Sequence, residues 1–413
     1  MSRIARTSSK GNPKGRSKGG PKDKASRSHP KTSSTQTKLK RSPTFERRWR
    51  SQLEDSITAI AWSSNGQNFA IASAAGDVLL GTPDHSPAPL PQMHKQGEQD
   101  EAITTKDAMS SLGFSATGQF LAASGQSGQV MIWSLTEAEP IVVFNQNLTK
   151  DWIDCLAWHP SAPILAIGVG PNAQLWDMTT QTLVTEFAFN RSSVQALAWH
   201  PQGNHLAVSG HGGVSVWTRS NSEENSGENL TADNWSQPPE FIEVPGASIA
   251  VQWSLDGRYL GSGNLDRTLT VVNWGNPLPW FMQGFPGKVR QLSWSHDSTP
   301  SGSPLLAAAC TNGIIIWERD AKQDGIWNSR VLEKHTQTVK AIAFQPHTFT
   351  LASASQDGRV ILWHNAKSVS QTLKGAKQGW SAIAWSPDGT SLITGGQAGE
   401  LILWAPSSRG QGF

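Results

Sequence analysis

LASASQDGRVILW, from Leu351 to Trp363, reads as two short apolar strands joined by a tight turn. Leu-Ala-Ser-Ala-Ser and Val-Ile-Leu-Trp flank Gln-Asp-Gly-Arg, and Asp-Gly between β-prone runs is a strong hairpin signal. A lone hairpin buries too little surface to be stable in water. The stretch therefore needs partners, and the chain supplies them by repeating itself.

Eight repeats align with this hairpin. They run from Ile57 to Gly81, then to Trp133, Trp176, Trp217, Trp274, Trp317, Trp363 and Trp404. Each holds three apolar runs separated by turn residues. A first aromatic recurs at Trp62, Phe114, Trp158, Trp199, Trp253, Trp294, Phe344 and Trp385, spaced by 52, 44, 41, 54, 41, 50 and 41 residues. A period of 40–45 residues with loop insertions is that of propeller blades. Each blade leaves apolar faces on both sides, and stacking around a closed ring removes them from water. Of the 19 tryptophans, 13 fall at the two repeated aromatic places, where they wedge neighbouring sheets together.

These repeats resemble the WD40 family, and the resemblance covers residues 45–406. IAWSPDGTSLITGG and LILW in repeat eight, and the opening hairpin in repeat seven, carry it most clearly. There are departures. The Trp-Asp pair occurs once, at Trp176-Asp177; Gly81 stands at the Trp place of repeat one; in repeat five Val272 holds that place, with Trp274 two residues on. The expectation is an all-β, eight-bladed propeller, with seven blades as the alternative if repeat one is degenerate or displaced. Too little chain follows Trp404 for a fourth strand, so Phe45–Glu54 is expected to close the last sheet and remove its edge.

The resemblance implies a buried network in repeat seven of His335, Ser353 or Ser355, Asp357 and Trp363. A buried carboxylate and an indole N–H both need partners, so the Asp-His pair reads as structural rather than catalytic. At the place of Asp357 the other repeats lack an acid, except for Asp266 in repeat five. None of the motifs HExxH, CxxC, GxSxG, GxxxxGK[ST] or GxGxxG occurs. No catalytic residue, metal ligand or cofactor is therefore assigned, and no enzyme activity is expected. His159 and His200 sit in matching Trp-His-Pro turns, a weak metal signal that reads better as turn chemistry.

Composition separates a tail from the body. Residues 1–44 hold 13 Lys/Arg and one acid, against 22 Lys/Arg and 31 Asp/Glu in the remainder. The tail is expected to be disordered for want of apolar residues. It reads either as a solvated linker or as an attachment to nucleic acid or another acidic surface; an Arg/Ser-rich transit segment is a third reading. Residues 407–413 form a short C-terminal tail. No run of about 18 apolar residues crosses a membrane. Cys155 and Cys310 lie in apolar runs and suit a reducing, cytoplasmic setting.

Most WD40 members are non-catalytic platforms for protein complexes, which implies a protein-interaction scaffold, a single propeller within a larger complex. The alternative is a ribonucleoprotein-associated factor held by the basic tail. The face carrying the hairpin turns should bear the contacts. Trp152, with Asp151 and Asp154, stands out in repeat three; Lys288, Arg290 and Lys340 lie in repeats six and seven. Either the charges orient a partner or they are an ordinary surface mixture. Trp380 takes a usually aliphatic place and is either core or contact. Trp235, in the acidic insertion after repeat four, is either an anchor or a cap on the outer strand.

Overall fold

The computed structural model describes residues 44–91, 107–219, 234–276, 278–323 and 325–407. The basic tail up to residue 43, the C-terminal residues 408–413 and most of the two long insertions lie outside the described residues. Among the described residues every regular element is a β-strand except a single-residue turn of 3₁₀ geometry at Asn234.

Repeat seven shows the plan. Val339–Phe344, Leu351–Ser355, Arg359–His364 and Ser368–Lys374 pair antiparallel in chain order, innermost to outermost. The opening hairpin has Leu351 opposite Trp363 and Ala354 opposite Val360. Its first strand is buried throughout. Alternate residues explain this: Leu351 faces the core shared with repeat six, while Ala352 and Ala354 face repeat eight. The small alanines leave room for Trp380 and Trp385 in that second core.

The strands form seven sheets, which corrects the expected count of eight. Six sheets have four strands, and one of six strands holds repeats four and five together. The cause is local. Glu240–Trp253 is one 14-residue strand: Glu240–Glu243 pairs with Gly213–Val216 of repeat four, and Ser248–Trp253 pairs with Leu260–Asn264 of repeat five. Gly246, at φ 77°, turns the chain between the halves, so no loop separates the two repeats. The count of seven does not come from repeat one, which keeps its own four-stranded sheet. The innermost strands of successive repeats touch in a closed cycle, with repeat eight returning to repeat one.

The first aromatic of each repeat is a link in that cycle. The indole N–H of Trp158 donates to Gly113 O (2.8 Å), Trp199 to Ala157 O (3.0 Å), Trp253 to Ala198 O (3.2 Å) and Trp294 to Gln252 O (3.1 Å). Trp385 reaches Ala343 O and Trp62 reaches Ala384 O, both at 3.2 Å. Each acceptor is the residue just before the first aromatic of the preceding repeat. A phenylalanine cannot make this bond. At Phe344 the backbone N–H bonds Ser293 Oγ instead, at 3.1 Å.

Closure follows the expectation of a terminal strand. Phe45–Gln52 pairs with Glu400–Pro406, completing the sheet of repeat eight. Gln371 of repeat seven clamps its start, accepting from Phe45 N and donating to Phe45 O. The same strand repairs repeat one. Trp49 stacks on Phe69 with ring centroids 5.7 Å apart, and Phe69 lies opposite Gly81. A Cβ on Gly81 would come within 2.5 Å of the Phe69 ring. Phe69 and Trp49 thus occupy the space that the missing tryptophan would fill.

Candidate functional site

In each repeat the hairpin turn and the loop entering the innermost strand share one face. Backbone bonds tie them: Ala74 N to Ser56 O, Gln126 N to Ala108 O, Leu265 N to Ala247 O, Gln356 N to Thr338 O and Gln397 N to Gly379 O. This is the channel-mouth face, and the network of repeat seven stands on it.

Asp357 Oδ2 lies 3.0 Å from His335 Nδ1, and His335 Nε2 lies 2.8 Å from Ser353 Oγ. Trp363 Nε1 donates to the same Oγ at 2.9 Å. The directions follow from the chemistry: an indole N–H can only donate, so Ser353 accepts from Trp363 and gives its own proton to His335. Asp357 also accepts from the backbone N–H groups of Thr336 and Arg359, each at 3.0 Å. Ser355 stands beside the chain, bonded to Gln337 O and Asp357 N. Burial holds the His335 imidazole below its ordinary pKa despite Asp357. Burial raises the Asp357 carboxyl, but its hydrogen bonds outweigh that and leave it below its ordinary value. Ser, His and Asp are in line as in a hydrolase, yet Ser353 is 0% exposed and its oxygen is already shared by Trp363 and His335. The arrangement fastens a hairpin.

The partner-contact candidates fall on different parts of the ring. Asp151, Trp152 and Asp154 sit in and beside the loop entering repeat three, all exposed. Between them Ile153 is fully buried, and its carbonyl accepts from Ser124 Oγ at 2.9 Å and Ser110 Oγ at 3.3 Å. This fixes the loop so that Trp152, at 60% exposure, projects outward. Lys288, Arg290 and Lys340 are exposed on repeats six and seven. Trp380 requires a correction. It is fully buried in the core between repeats seven and eight, where no partner reaches it. Gly375 makes the space, since a Cβ there would lie 3.3 Å from the indole. Trp235 is likewise buried, edge-on to Phe187 and tilted against Trp199, and caps the core of repeats three and four.

Several features were not visible in the sequence. Between repeats eight, one and two, Ser56, Ile57, Thr58, Ser110, Ser381 and Gln397 line a depression of about 530 Å³. Repeat five has a buried network in place of the His-Asp chain: Ser248, Ser262, Asn264, Thr268 and Thr270 bond one another at 2.7–3.1 Å. The available signal was the recurrence of small hydroxyl residues at strand starts.

On the opposite face, His159 and His200 are turn staples. Each Nδ1 accepts backbone N–H groups of its own turn, at 2.9 Å from Ala162 and 3.2 Å from Gln202. Each Nε2 therefore donates to the next repeat, to Gly203 O and Gly257 O at 3.1 Å. Among the described residues no group of three or more His, Cys, Asp or Glu is placed to hold a metal ion. Both cysteines are buried and free. Burial, then Asp154, pushes the Cys155 thiol up to about 12, far from the reactive range.

The WD domain, G-beta repeat family matches at residues 102–134, 181–218, 327–364 and 367–405. The protein transport protein SEC13 of Pyricularia oryzae is 26% identical over 146 residues, 33% of this chain and 48% of that protein. Protein HIR1 of Yarrowia lipolytica is 27% identical over 178 residues, 36% of this chain and 16% of that protein. The chain thus spans less than half the length of these curated relatives. Among solved structures, Chaetomium thermophilum Sqt1 bound to the N-terminus of ribosomal protein L10 superposes with a TM-score of 0.70 at 17% identity, covering 86% of this chain and 97% of that one. At that identity the likeness concerns the fold. The four matched repeats and the ring of antiparallel sheets identify the chain as a member of the WD40 repeat family with a β-propeller fold.

Proposed function

We propose that this protein is a non-catalytic protein-interaction scaffold that receives its partner on the channel-mouth face. One observation carries the reading. Of 19 tryptophans, Trp152 alone is exposed, and its loop is pinned by hydrogen bonds to the buried Ile153. An aromatic held rigidly in water costs solvation and contributes nothing to the core. Such residues are frequent anchors of protein interfaces. The Ser-His-Asp chain is sealed and offers no alternative in catalysis. Sqt1, which shares the fold, is seen with the N-terminus of a ribosomal protein, which supports a chain segment as the kind of partner. A cytoplasmic protein acting as one propeller within a larger complex fits this reading.

The test is affinity purification of the full-length protein and its Trp152→Ala variant with partner identification. Loss of a reproducible partner from the variant, with an unchanged melting temperature, supports the reading; an identical partner set removes Trp152 from the site. A second reading rests on the charge of residues 1–44. Nucleic-acid binding that weakens steeply with salt, and that vanishes when the chain starts at Thr44, would support it. Binding that is absent or indifferent to salt would eliminate it.

A further inference from the structure

We propose that the channel mouth binds an extended peptide of mixed charge. Its basic group sits at Asp151 and Asp154 of repeat three. Its backbone lies over the hydroxyl-lined depression of repeats two, one and eight. Its acidic group sits at Arg290 and Lys340 of repeats six and seven. The inference rests on the reading of this face as the interface, and adds the partner's chemistry.

One register position sets the chemistry of the mouth. Four residues before the first aromatic, at or just before the start of the innermost strand, the eight repeats carry Thr58, Ser110, Asp154, Gln195, Ile249, Arg290, Lys340 and Ser381. Adjacent innermost strands touch in order around the ring, so charge and polarity at this position follow one another around the mouth. Repeat three is acidic, repeats two, one and eight carry hydroxyls, and repeats seven and six are basic. The order is continuous along one side of the ring. The other side, repeats four and five, has the uncharged Gln195 and Ile249.

The charges are unspent. Ion pairs among the described residues join Arg48 to Asp84, Arg258 to Asp256, Arg330 to Glu318, and both His335 and Arg359 to Asp357. None involves Asp151, Asp154, Arg290 or Lys340. Around the ring, repeats two, one and eight stand between the acidic groups of repeat three and the basic groups of repeats six and seven. An incoming ligand with its own separated charges satisfies both.

The depression selects for donors. Ser381 Oγ gives its proton to Ile57 O, and Ser110 Oγ gives its proton to Ile153 O. A hydroxyl that has spent its one proton presents only lone pairs. Two such acceptors suit the N–H groups of a peptide backbone or a cationic side chain. At about 530 Å³, the depression falls within the size range of small-ligand sites. Trp152 at its acidic end supplies apolar area and a face for a cation.

The test uses fluorescence anisotropy at low salt with three labelled probes. One is a block peptide of lysines and glutamates separated by a Gly-Ser spacer; the others are octalysine and octaglutamate. Two double variants are compared with the full-length parent: Asp151→Asn with Asp154→Asn, and Arg290→Gln with Lys340→Gln. These side chains are solvent-exposed, and far-ultraviolet circular dichroism and melting temperature check that each variant folds. A control, Glu137→Gln with Glu139→Gln, changes equal charge on the loop after Trp133, away from the mouth.

The expected result is that the block peptide binds more tightly than either homopolymer. The acid-less variant should lose about five- to tenfold for the block peptide and octalysine while keeping octaglutamate. The base-less variant should show the reverse selectivity. The inference is overturned if both variants bind the block peptide within about twofold of the parent, or if the control loses as much as they do. That failure is separable from failure of the scaffold reading. If Trp152→Ala still strips a captured partner, the interface stands and only its charge chemistry is wrong.

Discussion

Acid should destabilise the propeller before its carboxylates titrate, and His205 of repeat four says by how much. His205 Nε2 accepts from the indole N–H of Trp274 at 3.2 Å, and its Nδ1 donates to Thr218 Oγ1 at 2.8 Å. Protonating Nε2 would set two donors against each other. Burial, followed by the nearby His200, lowers the His205 pKa to about 4. Burial also lowers His159 and His200, whose Nδ1 atoms already face backbone N–H groups. The sign follows. Above pH 6.5 each ring is neutral in both states, and its contribution is complete. Between about 6.5 and 4 the unfolded chain takes up a proton that folded His205 refuses, so stability falls as pH falls. At pH 5 a full shift of His205 would cost about 2 kcal/mol, and nearer 1 kcal/mol after discounting for its half-buried ring. Asp256, Asp357 and Asp388 all have carboxyls held below their ordinary values. Their contributions are lost only as pH drops below about 5, so the window from pH 7 to 5 reports on histidines. The measurement is the urea midpoint at several pH values, followed by tryptophan fluorescence, for the parent and His205→Gln. The glutamine keeps an acceptor for Trp274 and cannot titrate. Its slope between pH 7 and 5 should be shallower by about 1 kcal/mol. Equal slopes in the two proteins, or a midpoint that rises on acidification, would refute the reasoning.

Ser353→Ala leaves Trp363 Nε1 and His335 Nε2 without their shared partner, so it should cost about 1–3 kcal/mol in chemical denaturation and leave partner capture unchanged. Trp49→Ala opens the joint between the closing strand and repeat one. We expect a loss of about 2–4 kcal/mol, somewhat below the range for fully buried tryptophan, and faster amide exchange along Phe45–Gln52. Gly81→Ala drives a methyl into the Phe69 ring and should destabilise by about 1–3 kcal/mol, read as a lower melting temperature.

The hairpins were legible because their signals are local. In LASASQDGRVILW the Asp-Gly turn and the period-2 apolar pattern settle a register that places Leu351 opposite Trp363. Repetition then carried that register around the chain. What escaped was set by connections and by distant pairs. The joining of repeats four and five depends on Pro245-Gly246 turning the chain with no intervening loop, a matter of backbone angle at Gly246. The filling of repeat one depends on Trp49, 32 residues before Gly81 and on a strand that belongs to another sheet. Trp380 looked ambiguous because its fate rests on Gly375 and on Ala352 and Ala354 across the interface. None of these is its neighbour in any local pattern.

The same contrast governs where function can reside. Buried polar networks look like sites because they gather Ser, His and Asp, and in repeat seven they do so with the spacing of a catalytic chain. Their satisfaction and burial are what disqualify them: Ser353 accepts from Trp363 and gives its proton to His335, both ring nitrogens of His335 are engaged, and neither side chain is open to a ligand. The channel mouth is the reverse case. Asp154, Arg290 and Lys340 are exposed, charged and outside the ion pairs found among the described residues. Folding gains nothing from leaving these groups unmatched, whereas binding does. The hairpin that decides the fold is therefore a poor guide to the partner. The better guide is the position four residues before each first aromatic, where the repeats share their geometry and differ in chemistry.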